Sequence, residues 1–284
     1  MSTIQGPGFT YVDLHHINKG AYGEIISGRQ SPSGKKVILK KISKSVEQHR
    51  VASEITAGHL LNGIKGVPQF HHHFETPNSY WLVSDLIDGC DLFQKLTQTD
   101  YKGVPERTVK HILTQLVRTL TEIHKRGISH KDIKLENIMV GTGSKPSTHF
   151  IDFGLCHQYT GHSDACSDFA GSREYAAPEL LLAKKNFSSQ ATDVWALGVT
   201  MFSLLYGVFP FSFDADEQKT IEVTGIHPRP HFPSDGPKVS QDMTNLLSRM
   251  MESDPSKRIT VKEMKSHPAL KTSSMAFLRR SLTL

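Results

Sequence analysis

The stretch His130-Lys131-Asp132-Ile133-Lys134-Leu135-Glu136-Asn137, followed by Ile151-Asp152-Phe153-Gly154, sets a carboxylate, an amine and a carboxamide at Asp132, Lys134 and Asn137 ahead of a second carboxylate at Asp152. Asp132 is a candidate base or orienting group for a hydroxyl, while Asn137 and Asp152 offer the hard oxygens that magnesium takes alongside phosphate. Asp152-Phe153-Gly154 alone is a common turn sequence, and only its company gives it chemistry. Further upstream, Lys40 ends the apolar run Val37-Ile38-Leu39. Strand alternation puts it on one face with Ile38, where an ammonium is costly unless anionic groups meet it. Earlier still, Gly20-Ala21-Tyr22-Gly23, between Ile17 and Ile25, reads as a hairpin whose glycines let backbone amides approach phosphates. Downstream lies Tyr175-Ala176-Ala177-Pro178-Glu179.

Periodicity divides the chain in two. From Phe9 to about Leu92 the runs are short and extended, as in Lys36-Val37-Ile38-Leu39-Lys40 and Tyr80-Trp81-Leu82-Val83, with one helical segment around Ser53 to Leu61. From Val104 the period is helical: Val109, Ile112, Leu113, Leu116, Val117, Leu120 and Ile123 make one apolar face, and the segment from Asp193 to Tyr206 is apolar nearly all round. This predicts an α+β, bilobal fold. A small antiparallel sheet with one helix forms an N-lobe over about 9–84, a linker follows at 85–91, and a mainly helical C-lobe fills 92–270. A nucleotide belongs in the cleft between them. Residues 271–284 form a short basic tail.

In this order the motifs resemble the signature set of the eukaryotic protein kinases of serine/threonine type, and the hinge and helix patterns are similar to the calmodulin-dependent kinase group in the broad sense. The resemblance covers residues 9–270, a single catalytic domain. It implies ATP and Mg2+ as cofactors, Asp132 as the catalytic carboxylate, Lys134 as the neutraliser of the moving phosphoryl group, and Asn137 and Asp152 as metal ligands. Ile17, Asn18, Gly20, Gly23 and Ile25 would cover the nucleotide, although Asn18 stands where a kinase usually has its first glycine. Lys40 would meet the α- and β-phosphates and pair with a helix glutamate, Glu54 being expected and Glu47 the alternative. Ser84 falls at the gatekeeper position, where a small side chain leaves room for bulky ligands. Backbone groups at Asp85 and Ile87 would recognise adenine, and Asp91 the ribose. Glu179 would pair with Arg258 inside the C-lobe, and Asp193 would brace the catalytic loop from below. Asp91 and Glu136 sit where basophilic members read arginine, so the expected partner is a protein substrate with basic residues before the acceptor.

Lys131 replaces the arginine that usually grips an activating phosphate, and offers a point charge without the bidentate fork. Asp168 occupies the position of the phosphothreonine, which suggests a fixed carboxylate opposite Lys131 and activity without phosphorylation. Ser167 is the rival site. In the tail, Arg280 precedes Thr283 by three residues, a basophilic pattern that suggests autophosphorylation. The rival to an active enzyme is a pseudokinase scaffold, suggested by Asn18 and Lys131 and opposed by the presence of Lys40, Asp132, Asn137 and Asp152 together. A small-molecule or lipid kinase is disfavoured by the peptide-platform residues Gly171 to Glu179.

Composition agrees with this class. With 37% hydrophobic and 21% charged residues the chain is ordinary globular protein, and no run nears the roughly 18 apolar residues of a membrane span. The formal charge of +5 is scattered and no aromatic-basic RNA motif accompanies it, so neither nucleic acid nor membrane is an expected partner. Three cysteines, Cys90, Cys156 and Cys166, cannot all pair, which suits reduced thiols in an intracellular, cytoplasmic or nuclear, protein expected to be monomeric. Cys156, two residues past Gly154, would react only if its pKa were depressed. His71-His72-His73 is a poor chelator, because neighbours in an extended segment point to opposite faces.

Overall fold

Tight hairpin connections and β-branched runs give the N-terminal part an antiparallel sheet, in a computed structural model that describes residues 3–20, 23–46, 48–143, 146–161, 163–168, 170–182, 184–211 and 229–271. Its strands are β1 (Ile4–Gly6), β2 (Phe9–Gly20), β3 (Gly23–Ser31), β4 (Lys35–Ser43), β5 (Phe70–Thr76) and β6 (Ser79–Asp85), in the order β1-β2-β3-β4-β6-β5. Both sheet faces are apolar. Tyr11, Ile26, Val37, Leu39, Phe74, Trp81 and Val83 form a core on one side, and Ile42, Val51, Phe70 and Leu82 form a second cluster, to which α1 (Gln48–Leu61) contributes Val51. Along β4, Val37 and Leu39 are buried in the first core, so Ile38 and Lys40 point to the opposite face. The register then sets Lys40 beside Ile25 of β3 and Leu82 of β6.

Two boundaries differ from expectation. The sheet starts at Ile4, ahead of Phe9, because the first residues fold back on β2 with Ile4 opposite Tyr11. Helix α1 starts at Gln48 rather than near Ser53, since only Val51, Ala57 and Leu61 are buried and a face that sparse leaves little period in its first turns.

The C-terminal part follows with β7 (Gly89–Asp91), α2 (Leu92–Thr97), α3 (Glu106–Lys125), β8 (Ile128–Ser129), β9 (Ile138–Gly141), β10 (Thr148–Phe150), β11 (His157–Gln158), β12 (Ala165–Cys166), α4 (Pro178–Leu181), β13 (Phe187–Ser188), α5 (Ser189–Tyr206), α6 (Gln241–Met250) and α7 (Val261–Met264). The apolar face of α3 packs against α5, the buried centre of this lobe. Ser188 caps α5 through the amide of Ala191, and Gly207, at φ 75°, ends it in the left-handed conformation glycine adopts without strain. Gly198 lets α5 meet α6, since a Cβ there would stand 2.9 Å from that of Met250. Among the described residues no helix is long and apolar enough to cross a membrane.

Candidate active site

The register that aims Lys40 away from the core delivers its amine to two carboxylates. Nζ lies 2.6 Å from Oε1 of Glu54 on α1 and 2.7 Å from Oδ1 of Asp152. Glu47 lies outside the described residues. The Lys40 and Glu54 side chains are 12% and 13% exposed, whereas Asp152 is 43% exposed. Burial works against the Lys40 ammonium, but Glu54 and Asp152 outweigh it and hold its pKa above the ordinary value. Burial raises the Glu54 pKa despite Lys40, with Asp152 adding to the rise. Asp152 is also penalised by burial, yet Lys40 and the Gly154 amide hold its carboxyl below the usual range. Asp152 has a φ of 62°. Its amide donor, Gly154 N–H, is 3.2 Å from Oδ1.

Asp132 sits in the same cleft with every carboxylate oxygen held. Oδ1 accepts from the amide and the hydroxyl of Ser172, each at 3.1 Å, and Oδ2 accepts from Asn137 Nδ2 at 2.9 Å and meets Lys134 Nζ at 2.8 Å. Lys134 also donates to the Ser172 hydroxyl at 2.9 Å. The sequence places Ser172 only within the Gly171–Glu179 peptide platform, with no contact to Asp132; a hydroxyl next to Gly171 is the only signal, and its partners emerge only when the segment folds back on the His130–Asn137 loop. Gly171 permits that approach, since at φ 105° it lies where any Cβ would collide with the Lys131 carbonyl.

Asp193 supports the loop from beneath. One oxygen accepts from the His130 amide at 2.9 Å and meets His124 Nε2 at 2.8 Å, while the other accepts from the Lys131 amide at 2.9 Å. Those bonds hold Lys131 at φ 65°, an uncommon conformation for a lysine. The His130 ring lies 4.7 Å from that of Phe153, and its Nε2 is 3.0 Å from the Ile151 carbonyl, so the His130–Asn137 and Ile151–Gly154 stretches touch directly. Glu179 and Arg258 form a bidentate pair at 2.7 and 2.9 Å, both side chains buried.

The residues expected to face a nucleotide lie on the β2–β3 hairpin and around the end of β6. Gly20 pairs with Gly23 across the hairpin, and Ala21 and Tyr22 lie outside the described residues. A Cβ on Gly23 would collide with the Lys41 carbonyl, which explains the glycine structurally. The register shift between His16 and Asn18 makes Ile17 a bulge, 55% exposed, while Asn18 pairs with Ile25 and turns its side-chain oxygen to the Lys19 amide at 2.7 Å. The Asp85 amide is committed to the Gln69 carbonyl at 2.9 Å. Its carboxylate, penalised by burial, is nonetheless held below the usual range by Lys35 and His71. Ile87 is half-buried and Ser84 pairs with Ile38. Asp91 caps α2, accepting from the Gln94 amide at 2.7 Å.

One expectation needs correction. Lys131 does not face the Asp168 carboxylate: its amine reaches the Asp168 main-chain carbonyl at 2.8 Å and Cys166 Sγ at 3.2 Å, and among the described residues no ion pair joins the two side chains. The chain turns so that the backbone, not the acid, meets the loop, leaving Asp168 exposed. Burial pushes the Cys156 thiol up to about 12, so the depressed pKa that reactivity would require is not met. Residues Arg280 and Thr283 lie outside the described residues.

The donor set suits magnesium. Asn137 spends its amide N–H groups on the Asp132 carbonyl and carboxylate, which leaves its side-chain oxygen as an acceptor, and its main-chain carbonyl takes the Ile151 amide at 3.0 Å, one residue before Asp152. Among the described residues no three His, Cys, Asp or Glu side chains gather as a metal cage. A pair of hard oxygens, completed by phosphate and water, is how magnesium is commonly held.

A two-lobed fold with a lysine–glutamate pair and a cleft carboxylate is that of the phosphotransferase class, and residues 11–270 match the protein kinase domain family, to which the chain belongs. Its relatives include the maternal embryonic leucine zipper kinase of Xenopus tropicalis, 32% identical over 92% of this chain and 39% of the relative. They also include the hormonally up-regulated neu tumor-associated kinase of Mus musculus, 30% identical over 87% of this chain and 34% of the relative. The delta subunit of calcium/calmodulin-dependent protein kinase type II of Oryctolagus cuniculus is 28% identical over 91% of this chain and 48% of the relative. The likeness to the calmodulin-dependent group is thus borne out. The chain spans less than half the length of these relatives.

Proposed function

We propose that this chain is a serine/threonine protein kinase that transfers the γ-phosphate of ATP, with Mg2+, to hydroxyls of protein substrates preceded by basic residues. The observation that carries it is the joint assembly of Lys40 with Glu54 and Asp152 on one side of the cleft and Asp132 with Lys134, Asn137 and Ser172 on the other. Bound ATP and Mg2+ would supply the transferable group and the counter-charge to its oxygens.

The chain's own residues do the positioning. Lys40, kept protonated by its neighbours, would meet the phosphates, and Glu54 would fix the direction of its ammonium. Asn137 and Asp152 would hold the metal. Ser172, Asn137 and Lys134 fix both oxygens of Asp132, so its carboxylate is oriented before an acceptor hydroxyl arrives, and it would accept that hydroxyl's proton. Lys134, 2.8 Å from Asp132, would offset charge on the moving phosphoryl group. Glu136 is exposed beside this centre and Asp91 uses one oxygen as a cap, so both are available to a basic peptide.

The test is transfer from ATP to a positional-scanning peptide library with Ser, Thr or Tyr acceptors, for wild type and Glu136→Lys. Transfer to Ser and Thr with arginine favoured before the acceptor, and that preference reduced in Glu136→Lys, is expected. Transfer to Tyr, or preference for acidic peptides, would overturn the substrate class.

A further inference from the structure

The pair formed by Lys40 and Glu54 depends on where α1 lies, and α1 is held from the C-lobe by a side chain outside every motif discussed above. Gln158 Nε2 donates to the Ser53 carbonyl at 2.8 Å, one residue before Glu54. Cys156, two residues earlier and therefore on the same side of an extended segment, points its thiol at the same carbonyl at 3.9 Å. The base of Gln158 is rigid. Strand β11 pairs with β8, Gln158 opposite Ile128, immediately ahead of the catalytic loop. Tyr159 then donates through its amide to Gly127 at 2.9 Å and through its hydroxyl to the His124 carbonyl at 3.0 Å, and Gln190 of α5 binds that hydroxyl at 2.9 Å. A continuous path of bonds therefore runs from β8 through Gln158 to Ser53, and along the helix to Glu54 and Lys40. At the other end of α1, Arg126 Nη1 donates to the Leu60 carbonyl at 2.6 Å, satisfying one of the carbonyls a helix leaves unpaired at its C-terminus.

We propose that Gln158 is a positioning residue for phosphotransfer: its amide, braced on β8, holds the Ser53 carbonyl and so keeps Glu54 against Lys40 while no ligand or partner touches α1. Its chemistry rests on the kinase function proposed above, and its geometry does not. The contact joins the two lobes through a neutral donor, so it needs no phosphate on the segment between Asp152 and Glu179. The Arg126 contact limits motion at the far end, which leaves the Glu54 end as the part that Gln158 governs.

Amide hydrogen exchange by mass spectrometry over residues 48–61, with steady-state kinetics beside it, tests this in wild type, Gln158→Met and Gln158→Lys. Methionine keeps the length of the side chain and lacks a donor; lysine restores a donor. Exchange in α1 is expected to speed up about five-fold in Gln158→Met, the effect of losing one ordinary hydrogen bond, with α3 and α5 unchanged, and to return towards wild type in Gln158→Lys. The KM for ATP should rise by a similar factor while that for the peptide stays put, since Glu54 acts on ATP through Lys40. If Gln158→Met loosens α3 and α5 as well, Gln158→Glu, equal in shape and without the N–H, takes its place with the same expectation. Unchanged α1 exchange in the donorless variant, or no recovery with lysine, would overturn the proposal. A wild type that transfers no phosphate while α1 responds as expected would remove the kinase function and leave the latch. Transfer with an unresponsive α1 would remove only the latch.

Discussion

Replacing Arg258 by Met should cost more stability than any surface change, and the structure says why. The Arg258 and Glu179 side chains are 0% and 1% exposed. Besides its two bonds to Glu179, the guanidinium donates to the Ala191 carbonyl at 2.8 Å and the Glu252 carbonyl at 2.9 Å, and lies 5.0 Å over the Trp195 ring. Methionine keeps most of the apolar stem but strands the Glu179 carboxylate and both carbonyls in the dry interior. One-sided loss of a buried pair costs about 3–5 kcal/mol. Against a total stability of about 5–15 kcal/mol, that brings the domain near its limit. For a domain of this size the melting temperature should fall by about 10 °C. Urea titration followed by the intrinsic fluorescence of Trp81 and Trp195, with far-UV circular dichroism beside it, is the assay; the midpoint should drop with the slope unchanged. The double variant Glu179→Leu/Arg258→Met should recover much of the loss, because it removes the stranded charge as well. A loss below about 1 kcal/mol, the value for an exposed pair, would refute the reasoning.

Further outcomes follow from the corrected contacts. Asp168→Asn should leave the rate of unphosphorylated protein within two-fold of wild type, roughly a few tenths of a kcal/mol, because Lys131 binds the Asp168 backbone; Lys131→Met should lower it, and equal loss in both would restore the carboxylate account. Cys156, with its thiol near 12, should carry only about one thiolate in 10⁴ at pH 8 and resist alkylation in native protein, as peptide mapping after iodoacetamide would show. Lys40→Met should weaken ATP binding in calorimetry while leaving the melting temperature of the C-lobe unchanged, since the pair it breaks lies in the cleft and not in the core.

Much of the site was legible because its chemistry demands particular residue types in a particular order. Lys40, Asp132, Asn137 and Asp152 announce themselves within apolar or turn surroundings, and the fold then brings them into one cleft. The division into a strand-rich and a helical part was readable from the change of period near Val104. What was not legible depends on three-dimensional return of the chain. Ser172 meets Asp132 only because Gly171 bends the segment onto the loop, and Gln158 reaches Ser53 only because β11 pairs with β8. Asp168 looked like a charge partner for Lys131, yet residue order does not say whether backbone or side chain will face inward. Helix α1 hid its start because its first turns bury so little.

The central claim is that Asp132 sits in a working phosphotransfer centre. The direct measurement is transfer of labelled γ-phosphate from ATP and Mg2+ to a serine peptide by unphosphorylated protein, wild type beside Asp132→Ala. Transfer by wild type and a loss of about 10²–10⁴-fold in the variant, at unchanged ATP affinity, is the predicted result. Equal rates in the two proteins, or no transfer by wild type at any ATP concentration, would contradict it.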